Sequence, residues 1–564
     1  MINSAHDSIH GSSTDEVHTE MEARFAKTRQ IAAGVIHDTM AHLGKYAVRW
    51  WEKMSDIPEI QQPVVATFAK NDGYMHHIRP KGILVYAPVV TETAQPSELW
   101  LPIGDSQVCI CDSEGKAFLT QVMEREKVEV NGLGKPRNSL FPDPIYRKVV
   151  FLHPYDTNVK TLAAIPGKYS PKGSIKAGDD FLENELVRVT VSGSRICLLD
   201  KRSGKEFHNL NLLEEEADAG DAWDFSPTWI PGEIVRSTSF PFTSRILECG
   251  AVRAVLEVNG RMSVPACLRG DERSEERVTI PITYQITLWQ GMERVDVKLK
   301  LDNTAKDHRI RLRIPANLKT DHVSSQGHLA ILNRPVVRPK PAEPWFQPPT
   351  QLLPCREWIA VEDDNSGLAV ALKGMYDYEA VMNPLNQEPD VYITLVRGFE
   401  LMGRLHMLQR EGPASEAIDT PQAQCMGVQE IEWSYIPYQV SSEDRAPFLP
   451  MVQCFLYPAV SHAVRTEPLS EKFVSFPQPF GWKEPNLQFS AFKKCLNRDG
   501  YLLRFFENQG KETKANIYVG RFKKAWKSNM DEATLESLEI LNGFVEVNVP
   551  PYKAVSIKLS GGEE

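Results

Sequence analysis

His6 and Asp7 are the first residues of the chain that could do chemistry together. A neutral imidazole is the commonest zinc ligand, and a neighbouring carboxylate can orient it, join it or accept a sugar hydroxyl. One short segment cannot close a zinc site, which takes three or four donors. His6 and His10 do not form the helical His-Glu-x-x-His motif: Asp7 follows His6, and the capping-box pattern Ser13-Thr14-Asp15-Glu16 begins the helix beyond both. Read alone, a His-Asp pair this close to an N-terminus is more often a solvated loop than a site.

Three later clusters carry polar chemistry. Gly220-Asp221-Ala222-Trp223-Asp224-Phe225-Ser226-Pro227 sets an indole among carboxylates. An aromatic face stacks on the C–H side of a sugar ring while a carboxylate accepts its hydroxyls, so Trp223 and Asp224 suit a carbohydrate. The bland alternative is a turn whose Trp223 fills the edge of a core. Thr394-Leu395-Val396-Arg397 ends an alternating strand on a cation, and Thr420-Pro421-Gln422-Ala423-Gln424-Cys425 is a polar loop. Both are otherwise plain surface. A Ser-His-Asp order, a phosphate loop and a dinucleotide fingerprint are absent from the sequence. A catalytic carboxylate pair cannot be picked from 74 acidic residues by spacing.

The elements that must position these residues change character along the chain. Val17, Met21, Phe25, Ala32, Val35, Ile36, Met40 and Leu43 recur at helical spacing, and Gly44 is a natural stop. A helix with one apolar stripe needs partners, usually a bundle. From about Val64 short apolar runs alternate with turns. Ile280, Ile282, Tyr284, Ile286 and Leu288 alternate, Gln290-Gly291 turns, and Val295, Val297, Leu299 and Leu301 return as a hairpin. Ile310, Leu312 and Ile314 continue the pattern against Arg309, Arg311 and Arg313. Val545, Val547 and Val549 followed by Val555, Ile557 and Leu559 repeat it. The fold class is therefore mainly β: stacked antiparallel sandwiches, preceded by the remnant of a helical bundle. The expected units are 1–58 (helical remnant), 59–170 (first sandwich), 171–440 (large sandwich) and 441–564 (terminal sandwich).

Composition narrows the function classes. The 564 residues carry a net charge of −10 and no basic block, which argues against nucleic acid. No apolar run approaches a membrane span or the core of a signal peptide. The nine cysteines are scattered and odd in number, as in a reduced cytoplasmic protein. A homo-oligomer is compatible with the sequence.

In combination these stretches resemble the family 38 glycoside hydrolases, zinc-dependent retaining α-mannosidases, and most of all their bacterial branch that includes mannosylglycerate hydrolase. The matching segments are His6-Asp7-Ser8-Ile9, Ser13-Thr14-Asp15-Glu16-Val17 with Glu22-Ala23-Arg24-Phe25, Leu182-Glu183-Asn184-Glu185, Asp200-Lys201-Arg202-Ser203-Gly204-Lys205, the 220–227 loop and the 420–425 loop, in the family's order. The resemblance implies the end of a three-helix bundle followed by a mutarotase-like super-β-sandwich. It implies that His6 is one zinc ligand and that Asp7 contacts sugar hydroxyls. Trp223 resembles the family's substrate-side aromatic, with Asp224 beside it, and Arg397 and Gln424 lie in segments that approach the site. The family's nucleophile, which forms a covalent mannosyl-enzyme, and its general acid belong to an N-terminal domain that has no counterpart among these motifs. The expectation is the C-terminal portion of an α-mannosidase, truncated, split or complemented by a separate N-terminal catalytic chain, that takes a mannoside, supplies one zinc ligand and is inactive alone. The alternatives are a non-catalytic carbohydrate-binding sandwich and a mutarotase-like sugar epimerase, which needs a His-Glu pair on its sheet.

Overall fold

The structure, a computed structural model, describes residues 12–44, 82–86, 91–101, 107–112, 116–123, 147–155, 159–166, 171–338, 350–464, 480–520 and 522–561. His6 and Asp7 lie outside the described residues, as does the Pro-rich stretch 339–344.

Helix α1 runs Asp15–Gly44, close to the span its apolar spacing indicates. Its first-turn acids, Asp15 and Glu16, favour the N-terminal end of the helix dipole. The N-cap falls one residue later than the sequence pattern indicates. The amide of His18 bonds to the carbonyl of Thr14, while the buried Ser13 hydroxyl has no partner among the described residues. Of the apolar stripe, Met21 and Met40 are buried, and Met40 packs on Leu84. Ile31, Val35 and Ile36 face outward among the described residues.

The rest is mainly β, in antiparallel sheets. A five-stranded sheet (order 460–464, 82–86, 159–166, 108–111, 117–118) and a three-stranded sheet (91–101, 147–155, 120–122) enclose the first core. Strand Val460–Val464 thus leaves the terminal segment of the chain to pair with Gly82–Tyr86.

The central unit is a super-sandwich. Its nine-stranded sheet includes the hairpin Arg277–Trp289 and Val295–Asn303, with Leu288 opposite Val295, as the alternation requires. Facing it are a five-stranded sheet built from residues 176–207 and a six-stranded sheet. The six-stranded sheet contains β1 (Leu212–Ala217), β2 (His308–Pro315), β3 (Asp377–Met382) and β4 (Pro389–Arg397). Leu213, Ile310, Leu312 and Ile393 point into the core shared with Tyr284, Leu299 and Trp433. Helix α2 (Leu449–Leu456) covers the other face of the large sheet. There Ala360, Ala369 and Ala371 leave room for Phe448, Leu449 and Val452.

The opposite face of β1–β4 departs from the half-solvated pattern of the sequence. Arg309 and Arg311 are only 4% and 7% exposed. Glu379 bridges them, with 2.8 Å contacts to each, and Glu216 takes both at 2.7 Å. Arg313 pairs with Glu214 and Asp390. Buried guanidinium groups persist only with such partners. Alternation showed which side chains share a face; it did not show that this face is covered.

In the terminal sandwich the two Val-rich runs do not form a hairpin. Phe544–Val549 and Ala554–Ser560 lie in different sheets, and their inward residues meet across the core. Glu507 pins this unit. Its carboxylate accepts from Asn486, from the amides of Gln509 and Gly510, and from the amide of Tyr552. Burial opposes its ionisation, but the Tyr552 amide, Asn486 and the Gln509 and Lys511 amides outweigh that, so its pKa is lowered. A depressed carboxylate contributes stability above its unfolded pKa of about 4.3, and loses it as pH falls through the folded value. Acid titration of unfolding midpoints is expected to show the terminal sandwich weakening below about pH 4, and Glu507→Gln to flatten that dependence.

Candidate functional site

The loop between Asp218 and Thr228 is shaped by its own carboxylates before anything else touches it. Asp221 Oδ1 accepts from the amides of Trp223 at 2.9 Å and Asp224 at 3.0 Å, closing an Asx turn. Asp218 Oδ1 accepts the Gly220 amide at 2.8 Å. Gly220 has no substitute here: a Cβ would lie 2.1 Å from the Asp224 carbonyl oxygen.

A second segment, 397–415, locks that turn from outside. Arg397, at the end of β4, donates to the Asp218 carboxylate and to the carbonyls of Asp221 and Asp224, each at 2.6 Å. Arg404 meets the Asp221 carboxylate through its amide and the Gly220 carbonyl through its side chain. Arg410, 8% exposed, pairs with Asp221 at 2.5 Å and with Asp224. Phe225 lies over Arg309, with the guanidinium carbon 3.3 Å from the ring centroid, which seats the loop on the charged face of β1–β4.

The clamp leaves Trp223 presented. Its indole is 37% exposed, and Nε1 donates to Ser415 Oγ at 3.0 Å. The hydroxyl of Ser415 donates in turn to the Met402 carbonyl. Trp223 does not fill a core edge; it is a tethered aromatic surface.

The start of α1 and the 420–425 loop join the same place. Ser12 Oγ donates to the Ala222 carbonyl at 3.1 Å. Asp15 Oδ2 accepts the Gln422 amide at 3.0 Å, and Thr19 reaches the Gln422 side chain. Residues 421–424 form a short 3-10 turn that ends on Cys425 in the left-handed region. Gln424 is buried: its side chain brackets Asp307, accepting the amide at 2.9 Å and donating to the carboxylate at 2.7 Å.

The structure therefore brings together Trp223, Asp224, Arg397 and the turn held by Gln424, beside the end of the chain segment that follows His6 and Asp7. Asp224 and Arg397 are engaged in ion pairs, and Gln424 holds its turn from below. Sequence reasoning missed Arg404, Arg410, Ser415, Asp218 and Asp221. A signal was present: three arginines within 397–410 match three aspartates within 218–224. Other family-like motifs have structural tasks. Asn184 donates to the carbonyls of Trp289 and Met292, and Asp200 accepts from Arg202 and Ser203.

A His-Glu pair does exist. His308 Nδ1 lies 3.1 Å from Glu215, but both residues are fully enclosed on the core side of β1 and β2, where Asn303 meets the other ring nitrogen and Arg273 meets the same Glu215 oxygen. Enclosed in this way, the pair lacks the open sheet surface that epimerase chemistry requires. Among the described residues no group of three or more His, Cys, Asp or Glu side chains is placed to hold a metal, so these residues alone do not fit a zinc centre. No helix among them is long and apolar enough to cross a membrane.

Comparison with known proteins agrees with this architecture. The glycosyl hydrolases family 38 C-terminal domain matches residues 182–400, and the C-terminal beta sandwich domain of that family matches residues 486–557. A protein of Halalkalibacterium halodurans described as a "putative mannosylglycerate hydrolase" is 25% identical, aligning 99% of this chain with 62% of its own length. Two solved structures from Enterococcus faecalis share the fold. A protein in glycosyl hydrolase family 38 superposes with a TM-score of 0.77 at 16% identity, over 99% of this chain and 65% of its own. An alpha-mannosidase superposes at 0.76 and 17%, over 98% and 61%. The chain spans less than two thirds of the length of each of these three proteins.

Removing one partner of a buried ion pair strands the others. Arg410→Ala is expected to destabilise the loop by about 3 kcal/mol. Hydrogen exchange at the Trp223 and Asp224 amides should quicken on the order of a hundredfold, while core amides of β2 hold their protection.

Proposed function

This chain belongs to glycosyl hydrolase family 38, whose C-terminal domains it carries, and we propose that it forms the sandwich-side wall of an α-mannoside pocket. The observation that supports this reading most is the convergence of three distant segments on Trp223: the start of α1, the 218–228 loop and the 397–424 stretch. Arg397 and Arg410 hold the loop, Ser415 sets the indole, and the exposed ring face is free to stack on the C–H side of a sugar. Backbone and hydroxyl groups around it accept and donate to sugar hydroxyls. The similarity to a mannosylglycerate hydrolase by description and to an alpha-mannosidase makes mannosides, glycan fragments or mannosylglycerate-like, the substrate class of the proposal.

In this reading Asp7 adds a hydroxyl contact and His6 one donor to a divalent zinc ion. A bound zinc would orient and polarise sugar oxygens. Its remaining donors, the nucleophile and the general acid are supplied from outside these 564 residues, which by themselves bind mannosides without hydrolysing them. Asp224 fits that division of labour: paired with Arg410, its carboxylate orders the loop. The alternative, a carbohydrate-binding sandwich with no catalytic partner, predicts the same binding and differs only in the partner.

Titration with mannose and mannosylglycerate is expected to quench tryptophan emission in the wild type and not in Trp223→Ala. Absence of any saturable signal would overturn the pocket-wall reading. Turnover of an aryl α-mannoside with added zinc is expected to be undetectable. Turnover that survives purification and vanishes in His6→Ala would show that this chain holds the catalytic groups itself. Metal analysis of the purified chain is expected to give well under one zinc per molecule, because a single imidazole does not retain it; stoichiometric zinc would mean that the other donors are in this chain.

A further inference from the structure

Away from that site, a thiol, an imidazole and a carboxylate stand in series on the five-stranded sheet. Cys197 lies on strand Arg195–Asp200, Glu206 on the adjoining strand Lys205–Phe207, and His208 follows it. Cys197 Sγ is 3.5 Å from His208 Nδ1, and the other ring nitrogen is 3.6 Å from a Glu206 oxygen. The His208 amide donates to Asn317 Oδ1 at 2.9 Å, which fixes the residue against the next strand connection. Ile196 and Leu198 point into the core, so alternation turns Cys197 to the outer face beside an imidazole that is 47% exposed.

This order of groups activates a weak nucleophile: the imidazole takes the thiol proton and the carboxylate steadies the resulting cation. The other cysteines are placed differently. Burial pushes the Cys109 thiol up to about 11 and those of Cys111, Cys355 and Cys454 up to about 12. Burial also raises Cys425 and Cys495. Cys249 is the more exposed thiol, but among the described residues the hydrogen-bonded thiol–imidazole pair is Cys197 with His208.

We propose that Cys197 is a reactive thiol that exchanges with low-molecular-weight disulfides. His208 accepts the thiol proton, and the thiolate attacks one sulfur of the disulfide. A bond forms between Cys197 Sγ and that sulfur while the original S–S bond breaks. The leaving thiolate takes the proton back from the imidazolium and departs as a thiol, so the incoming disulfide is the only oxidant. The product is a mixed disulfide on the sandwich surface.

The probe is oxidised glutathione, with peptide mapping by mass spectrometry over time. Cys197 is expected to be modified first among the nine cysteines, ahead of Cys249. His208→Ala should slow modification of Cys197 by at least about tenfold, and Glu206→Gln by a smaller factor. Cys355, buried in the core, serves as an internal reference in the same samples, and its continued protection shows that the variants remain folded. Labelling of Cys249 before Cys197, or a wild-type rate at Cys197 in His208→Ala, would overturn the proposal.

Discussion

Buried charge that must find its opposite is the constraint on which the site depends. Asp218 and Asp221 are almost completely enclosed, and an enclosed carboxylate is tolerable only when several donors meet it. Arg397 and Arg410 supply those donors from β4 and the stretch that follows. Because each guanidinium is planar and rigid, it fixes carbonyl and carboxylate positions together, which a lysine could not do. The loop therefore has one conformation, and Trp223 has one direction.

That clamp rests on a second layer of charge. Arg309 sits between Phe225 above and the carboxylates of Glu216 and Glu379 beside it. The sheet face that would ordinarily meet water is instead a cross-strand ion network, with Arg311 and Arg313 continuing it along β2. Such networks contribute little net stability compared with apolar packing, but they punish any shift of register or loop position. The core on the other face of the same strands supplies the stability. One sheet thus separates the two tasks, apolar packing inward and loop placement outward.

What was legible in the sequence was periodic or local. Helix α1 and the hairpin of residues 277–303 follow from local spacing and turn chemistry. What was not legible was pairing at a distance. Arg410 meets Asp224 across 186 residues of sequence, and the matched arginines and aspartates of the two stretches do not say which pairs with which. The same limit hid the covering of Arg309 and Arg311. It also hid the partition of Val545–Val549 and Val555–Leu559 between two sheets, since alternation fixes the face of a strand and not its neighbour. His6 and Asp7 carried the strongest sequence signal, and they lie outside the described residues.

The clamp also bears on what kind of chemistry this surface supports. A general acid needs a proton it can give up, and a nucleophile needs lone pairs open to the substrate. Both oxygens of Asp221 are taken, one by the Trp223 and Asp224 amides and the other by Arg410 and the Arg404 amide, and Asp224 gives one oxygen to Arg410. Removing water from such a cluster strengthens those pairs rather than releasing them. The most exposed group of the loop's clamped tip is the indole of Trp223, and in the proposed pocket its contribution to a sugar would be area and orientation. Under the proposed function, such a wall would hold the substrate while the bond-breaking groups are brought to it, and the start of α1, bonded through Ser12 and Asp15 to the same loops, ties the helix to that wall.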